Sequence, residues 1–289
     1  MVKDYGQMPS IAPPTIASTP DTPPTIEVGF DADGGKWWYR IETATLARYL
    51  RLAGIVSEEV SLNFTDTGFY SRIVDPSHVS LMSIATPGNP VCLENSPVGW
   101  VRLDVKELNE CLDKAETHIT LVIDGDESNT LLEVINENCR TTLTGRSTPG
   151  LEPRIPDIDF EATVTVCGRD FTKAVKRISS ISQLAVLSLT PHEEGALTGD
   201  LTLSSPPTTG FTNRTYTLLK DEATPEGCTI ESIFSTQYLG YLCKGLPAIK
   251  RDAIDITISW GPQNPCHVTG VSDLVEWSYF LAPRIEGDA

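Results

Sequence analysis

GRDFTKAVKRISSI (168–181) sets the reading of this chain. Phe171, Val175, Ile178 and Ile181 recur at three- and four-residue spacing, and Lys173, Lys176 and Arg177 share another face. That pattern predicts a short amphipathic helix with an apolar stripe for a sheet and a cationic side for something else. LAVLSLTPHEEGALTGDLTLSS (184–205) follows, an alternating, strand-like stretch broken by turn residues.

The same unit occurs three more times. ETATLARYLRLAG (42–54) precedes VSLNFTDTGFYSRIVD, DVKELNECLDKA (104–115) precedes ITLVIDGDESNTLLEVI, and STQYLGYLCKGL (235–246) precedes IDITISWGPQNPCHVTGV. Their apolar stripes are Leu46, Leu50 and Ala53, then Val105, Leu108, Leu112 and Ala115, then Tyr238, Leu242 and Leu246. Helix starts near 43, 104, 168 and 235 predict tandem units of one architecture. Tight turns such as Asp124-Gly125-Asp126 predict antiparallel pairing. The expected fold is α+β: two similar domains, each of antiparallel sheets with two short helices. The Gly- and Pro-containing segment 142–159 reads as the connector between them. The expected division is an N-terminal arm at 1–27, domains at 28–141 and 160–289, and the connector at 142–159. The arm is rich in Pro and Thr without periodicity, and reads as disordered.

Of 289 residues, 22 are Lys or Arg and 39 are Asp or Glu, a net charge of −17. As a bulk property this opposes binding to nucleic acid and favours solubility, including in a salty cytoplasm. The distribution reverses the inference. The four helical stretches, taken as 43–54, 104–115, 168–181 and 235–251, hold 11 of the 22 basic residues and 5 of the 39 acidic ones. They carry +6 and the rest of the chain −23. If the repeats place these helices on one surface, it is a positive stripe on a negative body, suited to a phosphate backbone. No aromatic side chains interleave the charges as a stacking platform, which favours a duplex over single strands.

Other chemistry finds little support. No run of 18 apolar residues predicts a membrane span. The N-terminal stretch lacks a secretory h-region, and seven scattered cysteines without a CxxC pair fit a reducing compartment. The four histidines, His78, His118, His192 and His267, show no i, i+4 pair. DADGGKWWYRIE (31–42) places acids at calcium-loop positions 1, 3 and 12 but has Gly35 and Lys36 at 5 and 6, so it reads as a turn before a strand holding Trp37 and Trp38. No GxSxG, GxGxxG or Walker pattern occurs, and the expectation is no enzyme activity, no metal and no cofactor.

Two strings are more specific. IVDPSHVSLM (73–82) resembles the D-x-S-H-V-x-L signature of PCNA-type DNA polymerase sliding clamps, and YFLAPRIE (279–286) resembles that family's LAPKIE-like tail. FTKAVKRISSIS (171–182), STQYLGYLCKG (235–245) and RIPDIDFEATVTV (154–166) are similar to its third and fourth helices and to the end of its connector with the following strand. The resemblance covers about 36–286.

It implies a homotrimeric ring around duplex DNA, lined by helices, that tethers polymerase, clamp loader and other replication and repair enzymes through short peptide motifs. An alternative is a subunit of a heteromeric clamp-like scaffold for repair or checkpoint signalling. Either would act in the cytoplasm at the nucleoid, or in a nucleus. The implied DNA contacts are Arg48, Lys114, Lys173, Lys176, Arg177 and Lys244, with Arg51, Lys106 and Lys250 beside them. The implied client pocket is one apolar cleft of Val74, His78, Leu81, Ile155, Pro156, Phe160, Pro265, Phe280, Ala282 and Pro283. Ring closure is expected between strands near 131–136 and 200–204 of neighbouring subunits. The chain departs from the family where Glu110 and Asp113 replace frequent lysines, where Arg146 and Arg154 replace connector acids, in lacking the usual Phe within 83–100, and in having the arm.

Overall fold

The computed structural model describes residues 26–284 except 33–34, 87–97, 113–115, 125–130, 138, 147–151, 192–198, 207–215, 221–228, 247–253 and 273–274. The arm expected at 1–27 lies outside it, save for its last two residues. Glu27 already begins a strand, β1 (Glu27–Asp31), which forms a hairpin with β2 (Lys36–Glu42). Gly29 lies opposite Trp38, whose indole occupies the space a Cβ at Gly29 would need. This strand precedes the repeat and caps one edge of its sheet.

The repeat itself is regular. The first copy runs β2, α1 (Thr43–Ala53), β3 (Glu59–Phe64), β4 (Phe69–Val74), β5 (Ser80–Ala85), β6 (Gly99–Asp104), α2 (Val105–Glu110), β7 (His118–Asp124), β8 (Leu131–Ile135) and β9 (Arg140–Thr144). The second runs β10 (Ala162–Cys167), α3 (Gly168–Ser179), β11 (Leu184–Pro191), β12 (Gly199–Ser204), β13 (Tyr216–Lys220), β14 (Ile230–Ser235), α4 (Thr236–Gly245), β15 (Asp255–Trp260), β16 (Cys266–Ser272) and β17 (Val275–Leu281). β9 therefore carries the first copy to Thr144, past the boundary expected at 141, because it completes a five-residue register with β8.

All pairings are antiparallel and form three sheets: β1-β2-β7-β8-β9, β13-β12-β11-β14, and an eight-stranded sheet β10-β15-β16-β17-β5-β4-β3-β6. The last is shared by both copies and joined at β17–β5, from Glu276↔Ala85 to Leu281↔Ser80. The two strands expected to close a ring are both interior. β8 is paired to β7 and β9, and β12 to β11 and β13, so neither has a free hydrogen-bonding edge. The outer strands among the described residues are β1 and β9 in the five-stranded sheet, β13 and β14 in the four-stranded sheet, and β10 and β6 in the eight-stranded sheet.

Helices start within one residue of expectation, since each follows directly on a strand. α3 obeys the helix dipole, with Asp170 in its first turn and Lys176 and Arg177 in its last. α2 is well capped, the Asp104 carboxylate accepting from the Lys106 and Glu107 amides at 2.8 and 2.9 Å. It nevertheless stops at Glu110, well short of the expected 115. Glu110 and Asp113 put negative charge where the carbonyl end of a longer helix would lie, which opposes extension.

The core fills the space between helices and sheets. Tyr39, Tyr49, Phe64 and Phe69 form an aromatic cluster in the first copy, and Phe171, Phe234, Trp260 and Tyr279 are fully buried in the second. The Tyr49 hydroxyl donates to Ser71 Oγ at 2.7 Å, so its polar tip is satisfied inside.

Candidate functional site

The four helices form one layer in the order α2, α1, α4, α3, since α1 packs against both α2 and α4, and α4 against α3. Each buries its apolar stripe: Leu46 and Leu50 in α1, Leu108 in α2, Phe171, Val175 and Ile178 in α3, Leu239 and Leu242 in α4. α1 and α4 approach closely at Gly245, where a Cβ would come within 3.1 Å of Ile55. The cationic residues lie away from this core.

Lys106, Lys173, Lys176, Arg177 and Lys244 are exposed, and Arg48 is half-buried. Lys114 and Lys250 lie outside the described residues. Several of these charges have local partners. Lys173 donates to Asp170 at 3.1 Å, and this bond holds the Asp170 carboxyl below its usual range. Lys106 stands 3.8 Å from Glu110 one turn on, and Lys244 sits over the Tyr241 ring at 5.3 Å. Arg51, which is exposed, makes a further contact. Its Nε and Nη2 both donate to the Lys244 carbonyl, at 3.0 and 2.7 Å, so it caps the end of α4 from α1.

On the opposite side, the segment after β9 is fastened to the eight-stranded sheet. Glu59 pairs with Arg102 at 2.7 Å and also with Arg146, and Arg72 pairs with Glu152 at 3.1 Å. Residues 152–160 then roof a cavity of about 420 Å³, lined by Ile155, Pro156, Phe160 and Phe280 together with Arg72, Arg154, His267 and Ser278. His267 stacks on two rings, 4.1 Å from Phe280 and nearly parallel to it, and 5.5 Å from Phe160. Burial pushes its imidazole down to about 4, so it is neutral at physiological pH, and Nε2 shares a 2.6 Å hydrogen bond with Ser278 Oγ.

Only four of the ten expected pocket residues line this cavity. Val74 and His78 line a neighbouring one of about 370 Å³ that meets it at Arg72. Leu81 is the cross-strand partner of Phe280, half-buried, as are Pro265, Ala282 and Pro283 beside the cavity rather than in its lining. The expected single apolar cleft is thus two adjoining cavities with charged walls. The sequence did not place Arg72 or His267 in this wall, because the β16–β17 register that sets His267 opposite Phe280 is invisible in a linear sequence.

The turn bearing His78 is built by Asp75. Burial disfavours its charge, but the amides of Ser80, Ser77 and Val79 and the Tyr238 hydroxyl outweigh that and hold its carboxyl low. His78 takes φ 56° at this turn and is exposed. Among the described residues no three His, Cys, Asp or Glu side chains gather as a metal site, and no helix is long and apolar enough to cross a membrane.

No family model matches the chain. Individual proteins do. The DNA polymerase sliding clamp of Methanothrix thermoacetophila is 26% identical over 252 residues, 85% of this chain and 97% of its own length. That of Natronomonas pharaonis is 23% identical over 256 residues, 86% and 98%. Among solved structures, PCNA of A. fulgidus bound to the C-terminal region of FEN-1 aligns with TM-score 0.68 at 20% identity, covering 87% of this chain and 99% of that one. PCNA of Thermococcus kodakaraensis gives 0.66 at 20%, covering 90% and 100%. In sequence and in fold, over 85–90% of its length, the chain is similar to the PCNA-type DNA polymerase sliding clamps.

Proposed function

We propose that this chain is a DNA sliding clamp, a non-catalytic processivity factor that encircles duplex DNA and tethers polymerase and other replication and repair enzymes. The observation that carries the reading is the single layer of four helices whose solvent side holds Lys173, Lys176, Arg177 and Lys244 while the remaining chain is strongly acidic. Loose phosphate contacts from such a layer are independent of sequence and compatible with sliding. The acidic exterior repels DNA from the outside of a ring.

The two repeat copies act as two clamp domains joined by the connector, and three chains close the ring. Open edges support a head-to-tail contact of β9 on one subunit with β13 on the next. β14, the other end of the four-stranded sheet, already accepts the Arg284 amide at the Ile233 carbonyl, 2.7 Å away, which leaves β13 as the better edge. The cavity beneath 152–160 takes the aromatic anchors of client peptides, its apolar side chains Ile155, Pro156, Phe160 and Phe280 lying next to a rigid stacked pair. FEN-1 is the client seen on the A. fulgidus relative.

Retention on DNA tests the reading. Loaded on a nicked circle, the protein should stay bound through a salt wash that strips it from a linear duplex of the same length. Equal loss from both would refute encirclement. Light scattering should give about 95 kDa, three times the 31.5 kDa chain. A monomer that assembles only with a paralogue would instead favour the heteromeric scaffold.

A further inference from the structure

We propose that the outer face of the eight-stranded sheet carries a second docking groove, next to the pocket beneath 152–160, that receives a basic side chain of the same client segment. The groove has a volume of about 480 Å³ and lies over β10, β15, β16 and β17. Only His267 and Ser278 separate it from the first pocket, since both line the two cavities. The inference rests on that first pocket being a client site.

Register explains the groove's chemistry. Val271 faces Glu276 across β16–β17, and the β15–β16 register, which pairs Ile256 with Gly270, brings Asp255 beside Val271 on the other flank. Val271 is 63% exposed, the most exposed large hydrophobic side chain among the described residues. With strands about 4.8 Å apart, the two carboxylates stand roughly 10 Å from each other over an apolar floor. A lysine or arginine laid across Val271 would bury its methylene stem there and place its cation between the acids. No ion pair among the described residues engages Asp255 or Glu276. Thr257 and Thr269 supply hydroxyls on the path between.

The spacing is fixed as well. From His267 to Val271 is four residues of β16, about 13 Å. His267 cannot swing aside, being stacked on Phe280 and bonded to Ser278. An extended client would therefore need its basic residue about four positions from the aromatic anchor.

Fluorescence anisotropy with synthetic peptides decides the matter. Each peptide carries an aromatic anchor pair, with either Lys-Arg-Lys or Ser-Ser-Ser placed three to five residues away, on one side or the other. On the wild-type chain the basic flank should tighten binding by about 5–10-fold on one side. Asp255→Asn with Glu276→Gln should reduce that advantage to within about twofold while leaving the serine peptide unchanged. Asp66→Asn with Glu137→Gln, the same charge removed elsewhere, should keep it. An undiminished advantage in the Asp255/Glu276 variant, or an equal loss in the Asp66/Glu137 control, overturns the groove and leaves the first pocket standing. Failure of every peptide to bind the wild-type chain overturns the client pocket itself, and the groove with it.

Discussion

The guanidinium of Arg51 caps the carbonyl of Lys244 across 193 residues of sequence, tying α1 of the first repeat copy to the end of α4 in the second. The resemblance assigned Arg51 to DNA, yet both of these donors point along the helical layer. Arg51→Ala should lower stability by about 1 kcal/mol, the scale of an exposed charge-assisted hydrogen bond at a helix end. Retention on circular DNA should fall less than for a lysine of α3. Urea denaturation and a salt-wash assay read the two effects separately.

The α3 cations have the opposite expectation. Lys173→Ala with Lys176→Ala and Arg177→Ala should leave the melting temperature nearly unchanged, because all three are exposed. The log–log salt slope of DNA binding should become shallower by about 2–3. An unchanged slope would place these residues away from the phosphates.

Asp75 and Tyr238 form a second tie between the copies, at 3.3 Å. Asp75→Ala strands the amides of Ser77, Val79 and Ser80 and should cost about 2–3 kcal/mol, whereas Tyr238→Phe should cost about 1. Because the folded-state carboxyl titrates below its unfolded value, the Asp75 contribution is present above the unfolded pKa and is lost as pH falls through the folded one. The difference between wild type and Asp75→Asn should therefore shrink in strong acid, as read by urea midpoints against pH.

His267 makes the protein acid-sensitive in a higher window. Its imidazole titrates at about 4 in the fold against 6.5 unfolded, so the unfolded chain takes the proton first. Its stabilising contribution is complete above about 6.5 and drains away as pH falls toward 4. His267→Gln should flatten the melting temperature between those limits relative to wild type.

Clients should report on the cavity wall. Phe280→Ala or Phe160→Ala should weaken an aromatic-anchor peptide by about tenfold or more. Pro283→Ala, outside the lining, should do so by much less.

Ring closure can be tested on one pair of neighbours. Along an edge strand, alternate amides point inward to the partner and outward to solvent. Of Thr141→Pro and Thr142→Pro in β9, one should damage the fold and the other should leave a folded monomer by light scattering.

Much of this was legible from residue order. Apolar spacing placed four helices and the alternation between them, and the excess of Lys and Arg in those helices pointed to a cationic solvent face. Less visible were the edges. The β-rich stretches at 131–136 and 200–204 read as well as any strand for an interface, because nothing local says which strand has neighbours on both sides. The Arg72 and His267 walls were hidden for the same reason, whereas the length of α2 turned on the negative charge of Glu110 and Asp113, which its apolar spacing does not show.

Sequence alone determined the periodic features: the repeat, the helix starts and the segregation of charge, since each depends on neighbours within a few residues along the chain. Tertiary structure alone decided which cations remain on the solvent side of the layer, which edges stay open and which residues share a wall. Those depend on strand register, and register brings Phe160, His267 and Phe280 together from separate parts of the chain.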